Sequence, residues 1–136
     1  MPYTAPIADM RFVLEEVAAI GEVAALPGYE AADPDLVDAV LGGAAKFAES
    51  VLAPLNRPAD HVGSVLENGV VRTPSGFREA YARYVEGGWN GLAGDPQYGG
   101  QGLPLALAIP VAEMLDAACM SFALCPLLTL GAIELL

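Results

Sequence analysis

The chain has 136 residues, of which 54% are hydrophobic and 7% aromatic, and it carries 17 acidic against 6 basic side chains for a net charge of −11. That length suits one domain, and that apolar share excludes intrinsic disorder. So acidic a surface repels phosphate backbones and anionic lipid, which argues against nucleic-acid binding; a CoA thioester or a flavin needs only a local basic or dipolar site.

The apolar mass is aliphatic, mainly Ala, Leu and Val, which favours helices over an all-β sandwich. Residues 1–8 read as an extended arm, punctuated by Pro2 and Pro6. No basic region followed by an apolar one is visible there, so no signal peptide is read and a cytoplasmic location is expected. Asp9 can cap a helix through Val17, with Met10, Val13, Leu14 and Val17 on one face. Gly21, then Pro27-Gly28, are expected to end it.

Asp33-Pro34 marks a helix start: a capping carboxylate, then proline at the first helical position. Leu36, Val40, Ala44, Phe47, Val51 and Leu55 form one stripe of that helix. Val37, Leu41, Ala48 and Leu52 widen it, so the helix should pack between neighbours. Pro54 is expected to close it. Residues 56–76 then read as a connector. Within it, Asn68-Gly69 between Val65-Leu66 and Val70-Val71 permits a short hairpin. Thr73 or Ser75 should cap a helix carrying Phe77, Tyr81, Tyr84 and Val85, ended by Gly87-Gly88.

Residues 88–104 are glycine-rich, with Trp89, Leu92 and Tyr98 placed to anchor an ordered loop. From Pro104 onward the chain is helical and apolar. Pro110 marks a kink or the true start, and Pro126 is expected to break the helix or begin another. The stretch 117–133 is short for a membrane span, contains Pro126 and lacks flanking Lys or Arg. A buried core helix is the preferred reading. The pattern stops in mid-helix at Leu135-Leu136, from which further chain is expected.

Little of this is catalytic chemistry. His61 is the one histidine, read as a solvated loop residue, so a His-based metal site or a Ser-His-Asp relay is not supported. Cys119 and Cys125 read as small buried hydrophobes. Paired carboxylates such as Glu15-Glu16 sit at helix starts or on polar faces. Glu113 and Asp116 lie in an apolar segment, either on a solvated helix edge or facing a partner. The GGQG run follows no strand, so a phosphate cradle is weakly supported. What remains is apolar surface. Phe122, Leu124, Pro126, Leu127 and Leu130 flank a proline, where a helix break leaves a cleft for an alkyl chain; ordinary core packing is the competing reading.

Four phrases occur in order: YTAPIADMRFVLEEV, VLAPLNRPAD, VRTPSGFREAY and EGGWNGLAGDPQYGGQGLP. Together they resemble the N-terminal helical domain of acyl-CoA dehydrogenases, in the larger bacterial subgroup with an N-terminal extension that includes methylthiopropionyl-CoA dehydrogenase-like enzymes. One departure is Ala59 before Asp60, where that subgroup often has glycine. The resemblance implies an all-α helical bundle domain over 33–136, preceded by an extension over 1–32. It implies FAD, an acyl-CoA substrate, an electron-transfer flavoprotein as acceptor and a homo-oligomer, dimer or tetramer. It also implies that the base, a glutamate, and the main flavin contacts lie on later domains, so no catalytic, cofactor-binding or metal residue is assigned here. The family's acyl-pocket floor falls near Pro126, Leu127 and Leu130. The chain alone is then expected to be inactive. A helical interaction module and a membrane-associated helical protein are the alternatives.

Overall fold

The computed structural model describes residues 3–135. Met1 and Pro2 of the arm and Leu136 lie outside that range. The architecture is all-α with one hairpin. The helices are α1 (Ile7–Phe12), α2 (Ile20–Ala24), α3 (Pro34–Phe47), α4 (Ala53–Val62), α5 (Phe77–Glu86) and α6 (Leu105–Leu135); strands β1 (Val65–Glu67) and β2 (Val70–Arg72) form the hairpin.

The arm is tied down at Ala5, which is buried and whose N–H donates to the Glu49 carboxylate at 2.8 Å. α1 starts at Ile7, earlier than Asp9 suggests, with Pro6 in the cap position and Asp9 in the first turn. There its charge suits the positive helix end. A π turn, Val13–Val17, follows directly. Met10 and Leu14 are buried, but Val13 and Val17 are exposed. The wide turn rotates each residue less than an α turn does, so three steps beyond Leu14 Val17 has not come round to the core. Ala19, not Gly21, makes the break, with φ of 47°. Gly21 lies inside α2.

Asp33 caps α3 as its sequence requires, accepting from the Leu36 N–H at 2.8 Å. Asp33→Ala should cost about 1 kcal/mol, seen as a lower urea midpoint; an unmoved midpoint would show that the cap contributes nothing. The widened stripe is also as expected: Val37, Val40, Leu41, Ala44, Phe47, Ala48 and Leu52 are all buried. Pro54 does not close the element. The chain passes through a π turn, Ala48–Leu52, and continues as α4 to Val62. The Ala53 N–H reaches back five residues to the Ala48 carbonyl, opening the ladder just before the proline ring must fit. The connector therefore starts at Gly63 rather than residue 56.

Asn68 and Gly69 both have positive φ, 52° and 78°, as a two-residue hairpin turn demands. The pairing is antiparallel, with Val65 opposite Arg72 and Glu67 opposite Val70. Every strand residue is exposed. Neither Thr73 nor Ser75 caps α5. Gly76, at φ of 90°, occupies that position without a side-chain bond. Ala80 and Tyr84 face the core, while Tyr81 and Val85 are exposed.

Aromatic rings hold the centre. Phe47 packs near Tyr84 and stacks on Trp89, and Phe122 meets Phe77 and Tyr84 edge-on at 5.9 and 6.1 Å. Burial, with a smaller effect of Tyr81, pushes the Tyr84 hydroxyl up to about 12 from 10.0. The neutral phenol is the form the fold favours. Its stabilisation is complete below pH 10 and is lost as pH rises through 12, roughly 2–3 kcal/mol in all. Tyr84→Phe should flatten the alkaline arm of a stability-against-pH curve; an equally steep arm in the variant would assign the loss elsewhere.

The loop from Gly88 to Pro104 is laced by its own backbone. Gln101, Gly102 and Leu103 donate to the carbonyls of Gly91, Gly94 and Leu92 at 2.7–2.9 Å. Leu92 and Leu103 are buried and Trp89 is half-buried, but Tyr98 is 84% exposed and anchors nothing.

α6 carries a buried stripe that includes Leu107, Val111, Met114, Leu115, Ala118, Cys119, Phe122 and Ala123. It lies against α3, α4 and the π turn between them. Among the described residues it is the helix long and apolar enough to cross a membrane, over Leu105–Ile133, and its first half turns one buried stripe to the core. Neither Pro110 nor Pro126 breaks it. The break is at Cys119, whose backbone is extended, φ −161° and ψ 83°. No proline, glycine or polar insertion marks that position.

Candidate functional site

Beyond the break Met120 and Ser121 are exposed, Phe122 and Ala123 are buried, and the segment then turns outward. Pro126 is buried, Leu130 is half-buried, and Leu124 and Leu127 are exposed, Leu127 by 54%. Leu127 and Leu130 are one turn apart and share a helix side. The three residues expected to floor an acyl slot thus form a short apolar strip. Neither of the two open concavities described below is lined by any of them.

One concavity sequence reasoning missed lies at the break, against the residues that directly follow Cys119. It is lined by Asn56, Ala59 and Asp60 of α4, Ser64, Phe77, and Met120 with Ser121. Its position depends on the extended Cys119, which no local signal announces. Cys119 is fully buried, with its Sγ 3.6 Å from the Ser121 Oγ. The other concavity lies between α2 and the start of α3, with Ile20, Ala24 and Val37 beside Glu15, Glu30 and Asp33.

The remaining candidates are dispersed. His61 is exposed in the last turn of α4, not on a loop. Cys125 is exposed, against the expectation of burial, because it follows the buried stripe by two positions. Glu113 is exposed and Asp116 half-buried, and neither has an ion-pair partner among the described residues. Tyr3 lies near Glu113: burial first, then the charges of Glu113 and Glu49, raises its hydroxyl above the ordinary phenol value. Among the described residues no three metal-ligating side chains converge.

The glycine loop does not fit a flavin phosphate. A cradle needs free backbone N–H groups. Here the amides of Gly99, Gly100, Gln101 and Gly102 all donate within the loop, to Pro96, Asp95, Gly91 and Gly94. The backbone of this loop therefore offers no phosphate cradle.

An all-helical unit with one small hairpin has the architecture expected of the acyl-CoA dehydrogenase helical domain. Comparison of sequences agrees. All 136 residues align, at 39% identity, with 3-methylmercaptopropionyl-CoA dehydrogenase of Ruegeria pomeroyi, so the chain is similar along its whole length to an acyl-CoA dehydrogenase. The chain spans 23% of that relative's length. No family model matches the chain.

Proposed function

We propose that this chain is the N-terminal helical part of a flavin-dependent acyl-CoA dehydrogenase, and that it contributes acyl-pocket wall through Pro126, Leu127 and Leu130. The full-length similarity to a dehydrogenase of acyl-CoA thioesters carries this reading. The apolar strip after Cys119 supports the wall assignment. Such a wall serves the reaction by excluding water: removing a proton beside a thioester is easier in a dry, preorganised site. The flavin and the base belong to chain outside these residues, so the 136 residues alone neither hold FAD tightly nor catalyse. The complete protein passes its electrons to an electron-transfer flavoprotein and assembles as a homo-oligomer.

A chimera tests the proposal. This chain replaces the matching segment of the Ruegeria dehydrogenase, and an acyl-CoA is added without oxygen. Bleaching of the flavin is expected; a chimera that binds FAD yet stays oxidised with every acyl-CoA tried would sink the reading. Within an active chimera, Leu130→Ala should favour longer or branched acyl groups. Each added methylene accommodated is worth about 0.8 kcal/mol, close to a fourfold change in relative kcat/KM. Relative kcat/KM values that stay flat across a chain-length series would remove Leu130 from the wall.

A further inference from the structure

We infer that Asn68, in the turn of the hairpin, is a site of spontaneous covalent modification that yields aspartate and isoaspartate. An Asn-Gly pair can undergo this change without an enzyme. The backbone nitrogen of the glycine gives up its proton and attacks the asparagine Cγ. A bond from that nitrogen to Cγ forms, the Cγ–Nδ2 bond breaks, and ammonia leaves with the proton, closing a succinimide ring. Water then opens the ring at either carbonyl; nothing is oxidised or reduced. The attack needs a glycine N–H free of other bonds and room for the side chain to fold over it.

The chain contains two such pairs, Asn68-Gly69 and Asn90-Gly91, and the fold treats them oppositely. The first is the two-residue turn between β1 and β2, closed by Glu67 opposite Val70. Among the described residues the Gly69 N–H donates to no group, and the Asn68 amide has no partner. No heavy atom lies within 4 Å of where a Gly69 Cβ would stand. The second pair belongs to the tight turn Trp89–Gly91. There the Gly91 N–H donates to the Gly88 carbonyl at 3.1 Å, and the Gly100 backbone stands 3.5 Å from a Gly91 Cβ position. The same dipeptide is thus free at one place and tied at the other.

Either product adds one negative charge to the −11 of the chain. That charge stands next to Glu67, whose carboxylate pairs with Arg72 at 2.9 Å, and competes with it for the guanidinium. Isoaspartate also lengthens the backbone of the turn, which a two-residue loop cannot absorb without losing its register. Every strand residue is exposed, so the change stays in the hairpin and leaves the helical core intact. The test holds the folded chain in mildly alkaline buffer, with a parallel sample in urea, and follows both asparagine peptides by mass spectrometry. In the folded chain Asn68 should convert roughly tenfold or more faster than Asn90, the rate factor of one retained hydrogen bond. In urea the Gly91 bond is gone, and the two rates should draw level. Asn68→Gly keeps a residue that accepts positive φ and removes the amide, so it should abolish the fast acidic shift on isoelectric focusing. Equal rates at Asn68 and Asn90 in the folded chain would overturn the proposal. So would an Asn68 that converts in urea but stays an amide when folded. A rate ratio that persists unchanged in urea would assign the selectivity to sequence and overturn the structural account.

Discussion

Gly100→Ala should be the most damaging single substitution in the glycine loop, on the order of 4 kcal/mol or more, a large share of a small domain's stability. A Cβ on Gly100 would overlap the carbonyl of Gly94. Both partners are backbone, so no rotamer change relieves the clash. Relief requires pulling the two sides of the loop apart, which breaks the Gly102-to-Gly94 and Gln101-to-Gly91 bonds. Leu92 and Leu103, buried on either side of that lacing, would lose their seats. Two controls separate this cause from the general cost of losing glycine. Gly99 has φ of +87° and open space around it, so Gly99→Ala should cost about 1–2 kcal/mol of backbone strain. Gly42 is an exposed position within α3 with nothing nearby, and Gly42→Ala should stabilise by about 0.5–1 kcal/mol. Urea unfolding of the three variants gives the order. If Gly100→Ala costs no more than Gly99→Ala, the close approach in the loop is wrong.

Phe122→Ala is expected to cost about 3–5 kcal/mol. Phe122 is the first buried side chain beyond the break in α6, almost fully enclosed. Its edge-on contacts with Phe77 and Tyr84 join α6 to α5 across the core. Truncation leaves a cavity between the Phe77 and Tyr84 rings and removes the main anchor of the outer helix. Leu128, six residues on and 78% exposed, offers a contrast: Leu128→Ala should lie within about 0.5 kcal/mol of the parent. Near-equal costs for the two would mean that the ring cluster is not formed.

The parts of the fold legible beforehand were those written in local chemistry. Asp33-Pro34 starts a helix because its carboxylate and its missing N–H act within one turn. Asn68-Gly69 turns a hairpin because both residues tolerate positive φ. The misplaced boundaries have a common origin. Pro54 was expected to stop a helix, but a π turn five residues long accommodated it, and that turn depends on how α3 and α4 seat against α6. The break at Cys119 is likewise tertiary: an apolar residue in an apolar run carries no mark of extended backbone. Periodicity found the core stripe of α3 but overcounted that of α1, where the wide turn rotated Val17 outward. The candidate site was less legible still. Pro126, Leu127 and Leu130 came from family likeness, since nothing in their own chemistry separates a pocket floor from core, and the concavity at Met120 and Ser121 could not be seen without the break.

The π turn at Ala48–Leu52 also has the character of a phase shift. A helix advances about 100° per residue, and a wide turn amounts to one extra residue accommodated without unwinding. Everything after Leu52 is thus displaced in angular phase from everything before Ala48. The apolar face of α3 and that of α4, which bears Ala59, are two separate dials set against α6. Removal of a single residue from the turn would realign the dials, turning Ala59 away from its neighbour while leaving the composition of the helix almost unchanged. Length within those five residues is therefore under tighter constraint than identity.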